Sequence, residues 1–302
     1  MEKKISQFEA TKEAGKGYIT FNLEEEIVRD FDSSIVHNKT YNIEVVKDNK
    51  DRMLSDLNKL IRCLEIYLEY VVNRLPVYLI SSDIKSLNIQ KVLSFNYSDT
   101  YARIYDTDEN NDIEYDYIHG KADADNNIDT NNMVLGIDEF LPDDRKNKDI
   151  EFIAFKKYYQ RIYKRTGCKY KDWINAIREE NEKYMGRKHD CENFLKSGYG
   201  ISNEIEERKK ELERLNENPP MHNLYIFGHS LDVTDRDVMR DLILNDNVYT
   251  TIFYPDRKEL GRKIANLVKV IGQDELIRRT GGSTKTIEFK LQQDMKLIEE
   301  NQ

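Results

Sequence analysis

The C-terminal part of the chain alternates strand and helix signals with short gaps between them, and that order leaves few folds open. Leu224-Tyr225-Ile226-Phe227 is an apolar run of the buried-strand type, and it stops at Gly228-His229-Ser230-Leu231. A helix from Asp235 to Leu244 follows, with Thr234 placed to cap it and acids in its first turn. Val248 to Tyr254 reads as a second strand. Arg257 to Ile271 reads as a second helix, with Leu260, Ile264, Leu267, Val268 and Ile271 on one side. Strands that alternate with helices pair in parallel, because each return must cross a face of the sheet. The expected class is therefore α/β, a parallel sheet flanked by helices.

Upstream the same signals are more widely spaced. Leu54, Leu57, Leu60/Ile61, Leu64, Leu68, Val71/Val72 and Leu75 recur at helical spacing and predict a helix over 53–75, closed by Pro76. Cys63 sits among these positions and reads as an inert packing thiol. Lys91 to Phe95 is a strand, and Ser98 or Asp99 is placed to cap a short helix from Thr100 to Tyr105. Ile113 to Ile118 alternates like a strand and ends in His119-Gly120. Residues 150–216 read as helical, with a stripe of Phe152, Phe155, Tyr159, Ile162 and Tyr163. A second helix carries Trp173, Ile174, Ile177 and Tyr184. A third, highly charged one runs from Ile201 to Asn216 and is stopped by Pro219-Pro220. Residues 1–52 are weakly patterned: a short apolar stretch at Tyr18 to Phe21, a helical turn or two from Glu24 to Phe31, and a lone Gly15-Lys16-Gly17 without a strand before it. The expected division is 1–52 as an N-terminal segment, 53–149 as the first part of an α/β core, 150–220 as a helical insertion, and 221–302 as the rest of the core.

Composition removes several function classes. Among 302 residues, 47 Lys and Arg stand against 56 Asp and Glu, a net charge of −9. General nucleic-acid binding needs the opposite balance. No apolar run approaches the roughly 20 residues of a membrane helix, and no apolar run follows the lysines of the N-terminus as a secretory signal requires. Three widely spaced cysteines, Cys63, Cys168 and Cys191, make no disulfide framework. The expected location is the cytoplasm, away from membranes. Cys168, His189 and Cys191 fit no common zinc spacing, so no metal is expected.

In open parallel sheets ligands bind beyond the carboxyl ends of the strands. Three polar motifs fall there: Asn96-Tyr97-Ser98, His119-Gly120 and Gly228-His229-Ser230. Each also has a plain structural use. Asn96 suits a turn or cap, His119 an ordinary loop, and Gly228-His229-Ser230 a strand-to-helix turn. In the last motif, glycine also lets a ligand approach the backbone, and Ser230 with nearby N–H groups suits a phosphate or ribose.

The motifs taken together resemble a known family. Val92-Leu93-Ser94-Phe95-Asn96-Tyr97-Ser98-Asp99-Thr100 looks like the "fNYt" segment of the AbiH bacteriophage abortive-infection proteins. Tyr117-Ile118-His119-Gly120-Lys121 looks like their "iHG" segment, and Val134-Leu135-Gly136-Ile137-Asp138 their "lGid" segment. Phe155 to Arg161, and Gly228 to Leu231 with Asp235, also match. The resemblance covers about residues 53–290. It implies an antiphage defence protein whose partner is a phage component or a second copy of the chain.

The order of motifs is more distantly similar to sirtuin-like domains of bacterial antiphage systems, which have a Rossmann-like core and bind NAD. That likeness implies a Rossmann-like (sirtuin-like) parallel sheet flanked by helices, and an NAD glycohydrolase with NAD as substrate. Asn96 and His119 would then be the catalytic pair, and Gly120, Gly228 and Ser230 would contact the nucleotide. Family members begin with a strand and a "GNGFD" segment, and residues 1–50 hold none. The chain is therefore expected to lack its first strand and Gly-rich loop. The alternatives to an NAD hydrolase are a non-catalytic phage-sensing or interaction protein and an inactive truncated relative.

Overall fold

The computed structural model describes residues 9–12, 18–22, 40–106, 112–137 and 153–297. The chain forms two compact units, the first from Met1–Pro76 with Lys91–Gly167 and the second from Val77–Gln90 with Cys168–Gln302. Gly15-Lys16-Gly17, the stretch from Glu24 to Phe31, and Phe152 lie outside the described residues.

The first unit opens on an antiparallel meander of β1 (Glu9–Lys12), β2 (Tyr18–Asn22) and β3 (Thr40–Asn42). β3 runs directly into α1 (Ile43–Tyr70), which starts well before the apolar repeat at Leu54. The early turns are rich in charge, and charged turns leave no apolar period to read. A 3-10 turn, Val72–Arg74, follows the helix before Pro76. Val77–Gln90 then belongs to the second unit, where it forms β4 (Leu79–Ile80) and α2 (Ser82–Lys85). The chain returns to the first unit as β5 (Lys91–Ser94), α3 (Thr100–Tyr105) and β6 (Glu114–Tyr117), with β5 and β6 parallel. α4 (Lys157–Tyr163) ends this unit. It is shorter than the aromatic stripe predicts, and Ile162 and Tyr163 are exposed.

One face of α1 makes the core here. Leu57, Ile61, Leu64 and Leu68 recur at helical spacing and pack with Tyr97, Ala122, Met133 and Leu135. Cys63 is exposed rather than packed, because it projects from the side of the helix away from Ile61. The same apolar face carries Glu65, whose exposure is 0%. A buried carboxylate is tolerable only when its lone pairs are filled. Oε1 accepts from the Asp123 amide (3.1 Å) and from Asn126 Nδ2 (2.7 Å). Oε2 accepts from Arg62 Nη1 (2.5 Å) and from Asn131 Nδ2. Arg62 also donates to the carbonyls of Asp123 (3.2 Å) and Ala124 (3.1 Å), so the pair clamps the loop after β6 onto the helix. Lys164 donates to the Met133 carbonyl (2.6 Å) from the same neighbourhood. Burial pushes its ammonium below the usual lysine range, against the opposing charge of Glu65.

The second unit continues with two long helices, α5 (Lys169–Ser197) and α6 (Ser202–Glu217). They lie side by side. Tyr184 donates to the Leu215 carbonyl (3.1 Å), and Arg208 reaches the buried Cys191 sulfur (4.0 Å). Then come β7 (His222–Ile226), α7 (Arg236–Ile243), β8 (Val248–Tyr254), α8 (Arg257–Ile271), α9 (Gln273–Thr280), β9 (Ile287–Leu291) and β10 (Lys296–Leu297). The sheet is parallel in the order β7-β8-β9. Its centre strand buries Val248, Ile252 and Phe253. β10 pairs with β4 in antiparallel fashion.

The chain is thus a mixed α/β protein with helices beside small parallel sheets. Among the described residues the parallel strands fall in two sheets, β5-β6 and β7-β8-β9, where the alternation predicts one. The face of α8 also differs from its apolar positions. Ile264 and Val268 are partly exposed, while Lys263, Asn266, Leu267 and Val270 are buried. Before α7 the cap is Asp232, whose carboxylate accepts from the Thr234 amide (3.1 Å). Thr234, the expected cap, therefore donates its amide within the 3-10 turn.

α9 is fixed by ions. Arg278 grips Glu275 through two nitrogens (2.9 and 2.7 Å), and the buried Arg279 adds a third bond (2.6 Å). Arg279 also donates to the Asn245 carbonyl (3.2 Å) and Thr286 Oγ1 (3.0 Å), tying α9 to the segments before β8 and β9.

Two outcomes are expected. Glu65→Ala leaves Arg62 and two asparagines without their acceptor and should cost about 3–5 kcal/mol. An unchanged urea midpoint would remove Glu65 as the anchor of this unit. The hydrogen bonds from Arg278, helped by Arg279 and opposed by burial, hold the Glu275 carboxyl down at about 2. Its contribution is fully present above the ordinary carboxylate range near pH 4.5 and is lost as pH falls toward 2. Glu275→Gln should therefore flatten the acid limb of the unfolding profile over that window. A limb that keeps its shape would argue against it.

Candidate functional site

In the first unit the strand register places the predicted residues. β5 and β6 pair with Ser94 opposite Tyr117, and the Ile118 amide donates to the Ser94 carbonyl (3.1 Å). Asn96 and His119 each follow that aligned pair by two positions. They therefore leave the carboxyl ends of neighbouring parallel strands together. Asn96 is exposed. Its amide donates to Ser94 Oγ (3.2 Å), and that hydroxyl donates back to the Asn96 carbonyl (3.1 Å), which fixes the backbone and leaves the side chain toward solvent.

His119 is only 6% exposed. Its ring meets Phe95 edge-on at 5.7 Å and Tyr97 at 6.5 Å. Its carbonyl accepts from the Val134 amide (2.8 Å), while Tyr97 OH donates to the Val134 carbonyl (2.6 Å). Gly120 follows at φ +81°, and a Cβ there would stand 2.2 Å from the Asn132 carbonyl oxygen. Only glycine fits this place. Lys121 then pairs with Asp99 (3.2 Å). Burial alone would lower this lysine, but the hydrogen bond and charge of Asp99 raise it above its ordinary value. Asp99 precedes α3 without making a side-chain cap.

Gly228 and Ser230 belong to the second unit, in the turn after β7. Both are exposed, and Gly228 has φ +70° with no heavy atom within 4 Å of a would-be Cβ. Between them His229 points inward. Its Nδ1 accepts from the Leu231 amide (2.9 Å), which leaves the proton of a neutral ring on Nε2. Nε2 faces the Asp235 carboxylate at 3.6 Å. Asp235, expected as a first-turn helix acid, thus also faces this histidine. α8 holds the turn from below: Lys263 donates to the His229 carbonyl, and Asn266 to the Ser230 carbonyl (2.9 Å).

A family model described as bacteriophage abortive infection AbiH matches residues 1–254. The chain belongs to the AbiH family. Neither the curated proteins nor the solved structures gave a match. Membership places the chain among bacteriophage abortive-infection proteins. The match also takes in residues 1–52, which lie before the motifs that carry the resemblance.

Other features of this AbiH chain were less visible in its sequence. Glu65 interrupts an apolar face, and Lys263 and Asn266 share the face of Leu267 and Val270. A polar residue at such spacing is the signal that would have found them. His222 pairs with Glu180 (2.7 Å), and His189 bonds Asn193 (2.8 Å). Among the described residues no three His, Cys, Asp or Glu side chains gather as metal ligands, and no helix is long and apolar enough to cross a membrane.

The two glycines separate packing from strain. Gly120→Ala meets both a left-handed φ and a backbone clash, and should lower stability by about 3 kcal/mol or more. Gly228→Ala meets the φ penalty alone, about 1–2 kcal/mol. Equal losses in thermal unfolding would contradict the close approach of Gly120 to Asn132.

Proposed function

We propose that this AbiH protein is an abortive-infection effector that hydrolyses NAD in the cytoplasm, with Asn96 and His119 as its catalytic pair. The observation that carries this reading is the register of β5 and β6. It sets an exposed carboxamide and an imidazole at matched positions beyond two parallel strands, where α/β folds bind ligands. Cleavage of the nicotinamide–ribose bond sends its electron pair to the nicotinamide nitrogen and builds positive charge on the sugar. Water then bonds to the ribose carbon. Asn96 would hold that water or a ribose hydroxyl through its amide. His119 would take the proton on a ring nitrogen as general base. Phe95 and Tyr97 against the ring limit water around it, which strengthens the interactions of a charged intermediate. Gly120 is read as a nucleotide contact beside this pair; Gly228 and Ser230, in the second unit, are read by themselves as contacts for ribose or pyrophosphate. A Rossmann-like, sirtuin-like core is the fold that goes with this reading.

A second reading has its own support. His119 is nearly buried, and its ring and carbonyl both serve packing. That favours a non-catalytic module that senses a phage component or associates with itself.

Chromatography of NAD in cells expressing the protein, before and after phage infection, separates the two. The wild type should lower NAD, and His119→Ala and Asn96→Ala should each abolish the loss. NAD loss that persists in His119→Ala removes that residue from catalysis. NAD that stays level in the wild type through infection overturns the enzyme and leaves the sensing module.

A further inference from the structure

The turn after β7 is built from inside by α8. Lys263 is 4% exposed, an unusual place for an ammonium group. It donates to the His229 carbonyl, and one helical turn later Asn266 donates to the Ser230 carbonyl (2.9 Å). Two successive carbonyls are thus drawn toward the helix. A trans peptide holds N–H opposite C=O, so the His229–Ser230 peptide turns its N–H away from Lys263. The next amide, Leu231 N–H, is already used by His229 Nδ1 (2.9 Å). Ser230 itself is exposed, and its hydroxyl oxygen accepts from the Asp232 amide (3.4 Å), which leaves its proton to donate. The outer surface of the turn therefore offers an N–H and an O–H from one residue, beside a glycine with no side chain and above a buried cation. Two carboxylates follow the turn: Asp232 accepts from the Thr234 amide (3.1 Å), and Asp235 faces His229. Outward donors over a fixed positive charge make a place for an anion.

From this geometry we infer that Lys263 and Asn266 are positioning residues that set the Gly228–Leu231 turn as an anion site, with Lys263 as the buried counter-charge for a nucleotide's phosphate group. The inference rests on the reading of Gly228 and Ser230 as nucleotide contacts, and neither α8 residue belongs to the motifs that led to that reading. Burial lowers the lysine's tendency to hold its proton, with Glu259 opposing, and a phosphate near it would favour the charged form.

Calorimetry of the full chain with ADP-ribose and with adenosine tests it. The two probes share a nucleoside and differ in their phosphates. Wild-type protein should bind ADP-ribose the more tightly. Lys263→Met should weaken ADP-ribose by roughly tenfold or more and leave adenosine unchanged. Asn266→Ala should shift the same ligand by less. Unchanged ADP-ribose affinity in Lys263→Met overturns the inference and leaves the nucleotide reading standing. Equal weakening of both ligands shows that the lysine only holds the fold, and also overturns it. A wild type that binds neither probe removes the inference together with the nucleotide reading. Should Lys263→Met fail to fold, Asn266→Ala decides alone: selective loss of ADP-ribose supports the inference, and no loss overturns it.

Discussion

The first unit depends on a carboxylate that has no access to water. Glu65 lies in the middle of the apolar face of α1, and its oxygens take donors from the helix itself and from three places in the loop after β6. Such an arrangement contributes little net stability compared with a leucine of the same bulk. Its value is geometric. An apolar contact would let the loop slide, whereas four directed bonds accept one loop conformation. That loop carries Ala122, Met133 and Val134, which in turn bond or pack against Tyr97 and His119. The placement of the strand-end histidine follows from a buried charge on a different element.

The second unit solves a similar problem with cations. Arg279 is buried and joins α9 to the starts of two strands, and Lys263 is buried and joins α8 to the turn after β7. In each case a long side chain spans from a helix to backbone carbonyls of the sheet connections. The centre strand β8 supplies the apolar floor. The buried ions then choose which connection sits where, a specificity that aliphatic packing alone would not give.

Much of the second unit was legible in the sequence. The limits of β8 and α8 coincide with those the pattern predicts, since an apolar run and a helical period leave a direct trace in residue order. β5 and β6 each end one residue before the predicted limit, at Ser94 and Tyr117, so their carboxyl ends were legible to within a residue, while the register that matches Asn96 with His119 was not. The rest was hidden by physics that single-sequence patterns do not carry. The first turns of α1 are charged and show no period. The buried side of α8 is partly polar, so choosing its face by hydrophobicity rotates it the wrong way. The pairing of parallel strands into two small sheets depends on contacts between distant segments, and no local signal reports which strand a neighbour is. Cys63 shows the smallest version of this, an apolar-type residue within an apolar stretch but on the outer side of its helix.

The path of the chain has a practical consequence for dissection. It crosses between units after Pro76, after Gln90 and after Gly167. The short excursion carries β4, the partner of β10, and Asp83, whose carboxylate accepts from the Gln293 amide (2.7 Å). A fragment starting at Cys168 would keep the three parallel strands yet strip β10 of its partner and Gln293 of its acceptor. The two units therefore share the chain in a way that no single cut can divide. A nick in the excursion would be felt at the far end of the sequence.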